Sequence, residues 1–487
     1  MVLTGRERVF TDYDQINESN VKNALGEANA RNVRNVDQIR YLFNYYRGIQ
    51  PIRNRHKTVR PDICYNIVVN HASEIVAFKS SFLLGDPVVY VARKSGEERT
   101  DGITKLNDFM HLAGQRACDK ELADDFNICG VAFRFVYPNS DYDGSNSPFL
   151  IQTLDPASTY VAYEYSTSRD PEPVFAVTGV TLKGAKRAYD VYTKDTHFII
   201  KDGRVTSEPN LIGEIPIIEY NNNEFRIGSF EPVIDLLNAA NALESNRIEA
   251  TEQNVQALTW LNDVDLEPEE IEKLQSSPSA TVQTRTVKGQ TAPKIQTITY
   301  DLQQQDQQVL QNDLYRKILT IVGMPSMSDG NSNDSSNNGS TIVRNGWQHA
   351  ESRAKDTATL WERSDRRFLR IALKICKDLG ADCGISSSDV VGKFTRRNYE
   401  DINTKATVLT TLLGCDKVHP EFAYQVSGLA SDPEEAYRMA MEWYEEHKDE
   451  NTGLSGGAGN NQRRTDGWQS GGNQNRTEQS GTDSSWT

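Results

Sequence analysis

Residues 231–262 read EPVIDLLNAANALESNRIEATEQNVQALTWLN, and this stretch decides the architecture. Val233, Leu236, Leu237, Ala240, Leu243, Ile248, Val255, Leu258 and Leu261 recur at the spacing of one apolar helix face. At 1.5 Å per residue such a helix spans on the order of 45 Å. A second helix begins at Asp301, a good N-cap, and carries Leu310, Leu314, Ile318 and Val322 at strict four-residue spacing. Gly323-Met324-Pro325 stops it. The interlude between them is punctuated by Pro268, Pro278 and Pro293, with β-like runs over 281–287 and 294–300. Two long amphipathic helices joined by a compact β element are the core expectation.

On the N-terminal side the texture is α+β. Residues 1–55 are polar and Asn-rich, with a predicted helix over 35–46. A helix is expected over 62–84, ended by Gly85 and Pro87, then a strand over 88–91. A further helix over 117–129 precedes a strand over 131–137. Short β runs follow at 149–154, 160–165, 174–182, 188–193, 197–201 and 215–220, with Asp-Gly turn signals at 143–144 and 202–203.

On the C-terminal side, residues 326–340 read SMSDGNSNDSSNNGS, too polar to build a core. A third long helix is expected over 341–379, closed by Gly380, then a strand over 390–395. Two or three short helices follow between 401 and 448, and 451–487 is expected to be a disordered tail.

Composition narrows the function classes. The chain has 487 residues, 37% hydrophobic and 25% charged, with a formal net charge of −15. No apolar run approaches the roughly 20 residues of a membrane span, and MVLTGRERVFTDYD does not read as a signal peptide. A cytoplasmic site of synthesis is expected. The six cysteines, at 64, 118, 129, 376, 383 and 415, form no C-x-x-C pair and read as small reduced core residues. No cofactor and no metal site is expected. Asp329-x-Asn331-x-Asn333 departs from a calcium loop at Asp334 and Ser340, and Asp141-x-Asp143-x-Ser145 departs at Gln152. There is no P-loop and no G-x-S-x-G elbow. Catalysis is not expected.

Arg363, Arg366, Arg367, Arg370, Lys374 and Lys377 recur at three- and four-residue steps on the third helix. This basic stripe reads either as a solvated, ion-paired face or as a contact for an acidic neighbour or DNA phosphate.

Four segments stand in order along the chain: Leu84-Gly85-Asp86-Pro87-Val88-Val89-Tyr90, Gly213–Tyr220 followed by Phe230–Leu237, Met324-Pro325 before a polar loop ending at Gly339-Ser340, and 398–446 with Asp432–Glu435. In that order they resemble the portal proteins of tailed bacteriophages, in particular siphophages of Gram-positive hosts. The likeness covers roughly residues 60–448. The resemblance implies a portal fold: an N-terminal arm (1–55), an α+β wing (56–230), stem helices at 231–262 and 301–325, and a clip at 263–300. A tunnel loop (326–340), a long wing helix and strand (341–397) and a helical crown (398–450) complete it.

It further implies a homo-oligomeric ring of about twelve subunits at one capsid vertex. Double-stranded DNA would pass through it without sequence specificity during packaging and ejection. Terminase, scaffolding and major capsid proteins and a head-completion adaptor would be partners. No membrane is involved, and the ring would assemble in the host bacterial cytoplasm before joining the virion. Tunnel-loop candidates are Ser332, Asn333, Asp334, Ser335, Ser336, Asn337 and Asn338; clip candidates for motor docking are Thr281, Gln283, Arg285 and Lys288. A sliding duplex favours a neutral or repulsive wall over lysine and arginine clamps, which accommodates the negative net charge. The competing readings are a non-viral helical scaffold and a metal-dependent nuclease.

Overall fold

Alternation of apolar and polar residues between 149 and 221 produces a run of short strands, and tight turns between them set their pairing. The computed structural model describes residues 3–58, 61–93, 97–181, 187–255, 258–262, 294–298, 304–325, 346–394, 402–415, 417–430 and 433–447. These fall into two units, Met1–Asp401 and Ile402–Thr487.

The first unit begins with β1 (Val9–Thr11), α1 (Val21–Tyr46), α2 (His71–Leu84), β2 (Val89–Ala92), α3 (Glu97–Leu112) and α4 (Gln115–Cys129). Its β region contains β3 (Val131–Pro138), β4 (Phe149–Leu154), β5 (Thr159–Glu164), β6 (Pro173–Thr181), β7 (Arg187–Tyr192), β8 (Thr196–Lys201), β9 (Arg204–Pro209) and β10 (Ile217–Asn221). Then come α5 (Ile234–Val255), β11 (Leu258–Asn262), β12 (Lys294–Ile298), α6 (Gln304–Val322), α7 (Trp347–Asp378) and β13 (Val390–Lys393). A six-stranded sheet has the order β1-β5-β6-β7-β8-β9, with β1 parallel to β5 and the rest an antiparallel meander. Asp202-Gly203, both at positive φ, form the two-residue turn that pairs Lys201 with Arg204. A second sheet, β10-β3-β4, and the pair β13-β2 lie against α7.

Strand β3 feeds two cores because its side chains alternate. Ala132 and Val136 join a core with α3, α4 and α7; Val131 and Phe133 join another with α1, α2, α5 and α6. Arg134 lies in the first core, fully buried. Its guanidinium pairs with Asp119 of α4 and, at 3.3 Å, with Asp365 of α7. The Tyr90 and Tyr220 hydroxyls donate to Asp365 at 2.8 and 2.9 Å, and Gln115 donates to Asp119 at 3.0 Å. Burial lifts both phenols well above their ordinary range, so they remain donors. Phe368, Tyr220 and Trp361 rings stand 4.4, 4.9 and 5.7 Å from the guanidinium carbon.

Several elements differ from the sequence expectation. Helix α1 starts at Val21 rather than 35, because its buried face includes Asn32, Asn35 and Gln38. The Asn35 side chain accepts from Glu7 N and donates to Glu7 O, pinning the segment before β1. Helix α2 starts at His71 rather than 62, because residues 61–70 are extended or turn. Helix α5 ends at Val255; Leu258 and Leu261, counted as helix positions, belong to β11, whose Thr259 and Trp260 suit a strand paired with β12. The described part of α7 begins at Trp347, after Gly346 at φ +80; residues 341–345, where the helix is expected to start, lie outside the described residues. Helix α3 and strand β9 have no counterpart among the predicted elements. Residues 263–293, 301–303, 326–345 and 451–487, which include the expected clip, N-cap, tunnel loop and tail, lie outside the described residues.

The second unit contains α8 (Ile402–Leu413), α9 (Pro420–Ser427) and α10 (Pro433–Glu446). Lys405 of α8 donates to Gly428 O at 3.0 Å, and Tyr424 meets Tyr437 at 6.0 Å between ring centroids.

Removing the Arg134 cation would strand two carboxylates in a dry core. Arg134→Met is expected to cost about 3–5 kcal/mol in urea unfolding, with partial recovery when Asp119→Asn and Asp365→Asn are added. A loss under about 1 kcal/mol would contradict the role given to this cluster.

Candidate functional site

Helices α5 and α6 form an antiparallel pair rooted at one end. Val233, Leu237, Ile318, Leu319, Val322 and Met324 are buried together with Tyr45 and Phe230. Farther along, Arg247 donates to Gln311 Oε1 at 2.9 Å. Beyond that point the pair turns outward: Ile248, Val309 and Leu310 are 42%, 67% and 49% exposed. The strict repeat in α6 is therefore divided, with Ile318 and Val322 buried and Leu310 on the surface.

The buried stripe of α5 becomes polar past Ala240, at Asn241, Ser245 and Glu249. These side chains hold an extended segment. Val69 N donates to Asn241 Oδ1 at 2.8 Å, Ile67 N to Ser245 Oγ at 3.1 Å, and Tyr65 N to Glu249 Oε1 at 2.9 Å. The match is geometric. Four helical residues rise about 6 Å, and two extended residues advance about 6.6 Å. Glu249 also pairs with Lys57 and, at 3.4 Å, with Arg55. Asn241 donates to Gln50 Oε1 at 2.5 Å, and Gln50 in turn bonds Asn70. An apolar repeat is what sequence reading seeks, so this polar stripe was invisible to it; its only signal is the four-residue spacing of Asn241, Ser245 and Glu249.

Helix α2 meets α6 through Glu74, which accepts from His71 at 2.7 Å and from the Tyr315 hydroxyl at 2.5 Å. The His71 bond, aided by Tyr315, holds Glu74 below the ordinary carboxylate range. Nearby, a groove of about 370 Å³ between α2, α6 and α7 is lined by Phe78, Phe82, Lys79, Val322 and Arg353. Burial, reinforced by the Arg353 cation, pushes Lys79 down to about 8.

The basic stripe is divided between internal and outward roles. Arg367 pairs with Asp170 at 3.2 Å and Arg370 with Glu214 at 3.1 Å. Arg363, Arg366 and Lys374 make no ion pair among the described residues; Arg366 and Lys374 are exposed and Arg363 is half-buried. The candidates Thr281, Gln283, Arg285 and Lys288, and 332–338, lie outside the described residues. Among the described residues no group of three or more His, Cys, Asp or Glu could hold a metal ion, and no helix is long and apolar enough to cross a membrane. Cys129, Cys376 and Cys383 are buried, as core residues should be, whereas Cys415 is exposed.

Residues 26–453 match the family described as phage portal protein, SPP1 Gp6-like. No curated protein matches the chain. Among solved structures, a chain of "Neck of empty GTA particle computed with C6 symmetry" is 12% identical, with a TM-score of 0.44, over 74% of this chain and 90% of that one. A chain of "Virion of native gene transfer agent (GTA) particle" is 11% identical, with a TM-score of 0.41, over 80% and 93%.

Glu249→Ala is expected to cost about 3 kcal/mol or more, since it leaves Lys57 and Arg55 without their anion, and to expose residues 55–65 to limited proteolysis first. Lys79 offers a pH signature. It gives up its proton near pH 8 when folded and near 10.5 when exposed, so between these values the unfolded chain binds more protons and stability rises with pH. Lys79→Met should be more stable at pH 7 and lose that rise; equal pH profiles would contradict the burial of this ammonium.

Proposed function

Since the chain belongs to the SPP1 Gp6-like family of phage portal proteins, we propose that it works as one subunit of a ring at a capsid vertex, with the α5–α6 pair directed along the DNA channel. The observation that carries this reading is the family match across residues 26–453. A helix pair with one end rooted in the core and the other exposing Ile248, Val309 and Leu310 supports it, because neighbouring copies in a ring would cover those side chains. The non-viral scaffold reading is not favoured.

In finer detail, the stem helices are α5 and α6, and the clip lies between them, with the strand pair β11–β12 at its base. The wing takes 56–230 and 341–397, the tunnel loop 326–340 and the crown 398–450. About twelve copies would close the ring by heterologous contacts. Thr281, Gln283, Arg285 and Lys288 would meet the terminase during packaging and a head-completion adaptor afterwards, while scaffolding and major capsid proteins surround the wing. Ser332–Asn338 would touch sliding DNA weakly through hydroxyls and amides. Of the basic stripe, the exposed Arg366 and Lys374 would face an acidic neighbour, since Arg367 and Arg370 already have partners within the subunit. The subunit carries out no chemical step. The host is a Gram-positive bacterium, in whose cytoplasm the ring assembles.

Negative-stain images of the protein, alone or co-expressed with scaffolding and capsid proteins, should show closed rings with a central hole. Deletion of Ser332–Asn338 should lower DNA packaging while leaving those rings intact. Rings absent under every condition would refute the portal assignment, and undiminished packaging would refute the loop's role.

A further inference from the structure

A cleft where the chain before β1 meets β5, β10 and α7 is lined by Arg8, Tyr163, Glu219, Asn221, Arg363 and Arg367. Its two carboxylates are already occupied. Glu219 takes Arg226 Nε at 2.5 Å and the Tyr163 hydroxyl at 2.9 Å. Asp170, at the rim, takes Arg367 at 3.2 Å. Arg8 and Arg363 therefore face the cleft without a carboxylate partner among the described residues. Two polar atoms there, Arg8 Nε and Asn221 Oδ1, are buried with no hydrogen-bond partner. Buried polar atoms are rarely left unmatched; here Arg8 Nε lacks an acceptor, while Asn221 Oδ1 as placed lacks a donor. Turning the Asn221 amide by a half rotation would present its N–H₂ to the same space. Burial, together with Arg226, pushes the Arg8 pKa down against the opposing pull of Glu219 and Tyr163, and Arg363 adds a smaller push in the same direction as burial.

We propose that this cleft binds a phosphate oxyanion, with Arg8, Arg363 and the turned Asn221 amide as its donors and Arg367 holding the rim through Asp170. Guanidinium forks match the geometry of phosphate oxygens, and one such anion supplies both the missing charge and the missing acceptors. The anion comes either from free inorganic phosphate or from a DNA phosphodiester. Only the second source rests on the portal reading, so failure of ring assembly leaves the site itself testable.

The test is ³¹P NMR titration of inorganic phosphate with the full-length protein, ionic strength being held constant with chloride. Saturable binding is expected, weakened about tenfold or more in Arg363→Gln and in Arg8→Gln, since each removes a charge-assisted hydrogen bond. Arg363 is half-buried and unpaired, so Arg363→Gln should keep the wild-type melting temperature in chloride. A short blunt-ended DNA duplex is then added to the phosphate-loaded protein. Displacement by wild type with loss of duplex affinity in Arg363→Gln assigns the site to the phosphodiester; no displacement assigns it to free phosphate. Absence of saturable phosphate binding, or equal binding by Arg363→Gln and wild type, overturns the proposal.

Discussion

Two of the first unit's cores meet at a strand that carries one buried cation, Arg134. A guanidinium taken out of water needs its charge balanced, and Arg134, whose two terminal nitrogens are paired while its Nε–H has no acceptor among the described residues, meets that need only if Asp119 on α4 and Asp365 on α7 converge on it. Those two helices lie far apart in sequence, so the ion cluster selects one packing among the many that apolar contacts alone would allow. Tyr90 and Tyr220 extend the selection to β2 and β10 by donating to the same Asp365. Because β3 carries Arg134 on one face and Val131 and Phe133 on the other, fixing its register also fixes the second core, in which α5 and α6 are rooted.

Legibility followed the physics of each element. The strands β3 to β8 and β10 were readable because β-branched and aromatic runs stand between turn residues, and the Asp202-Gly203 turn demanded positive φ. Helix α7 was readable from its long amphipathic repeat and Gly380. Helix α1 was read short because its buried face is partly amide, and Asn35 packs by clamping the Glu7 backbone rather than by burying carbon. Residues 62–70 carry helix-like apolar spacing, yet their amides are claimed by Asn241, Ser245 and Glu249, a non-local partner no local pattern reveals. The basic stripe was visible, but which of its cations find carboxylates depends on Asp170 and Glu214, residues brought near only by the fold.

The polar seam on α5 has a further consequence for a helix that must stand away from its core. Apolar side chains would let an extended segment slide along the helix at little cost. Three hydrogen bonds at matched pitch allow one register, and Glu249 adds charge to it by holding Lys57 and Arg55. Rigidity at the root is thereby obtained without lengthening the apolar face, which leaves Ile248, Val309 and Leu310 free for other surfaces.

The net charge of −15 is likewise not spread evenly. By sequence α10 carries Glu434, Glu435, Glu442, Glu445 and Glu446 with one arginine, Arg438, and α5 carries Asp235, Glu244, Glu249 and Glu252 with one arginine, Arg247, although Glu249 is neutralised from outside the helix by Lys57 and Arg55. Helix α7 has the opposite balance, with Arg363, Arg366, Arg367, Arg370, Lys374 and Lys377 against few acids in its second half. Attraction for a duplex moving past such a subunit would come from cations without a carboxylate partner, Arg366 and Lys374 of α7 among them. Smooth passage therefore requires that α7 cations be occupied, by Asp170 and Glu214 within the subunit and by an acidic neighbour or an oxyanion elsewhere. Negative total charge is not sufficient for a DNA conduit; what matters is that the attractive charges are the ones already spoken for.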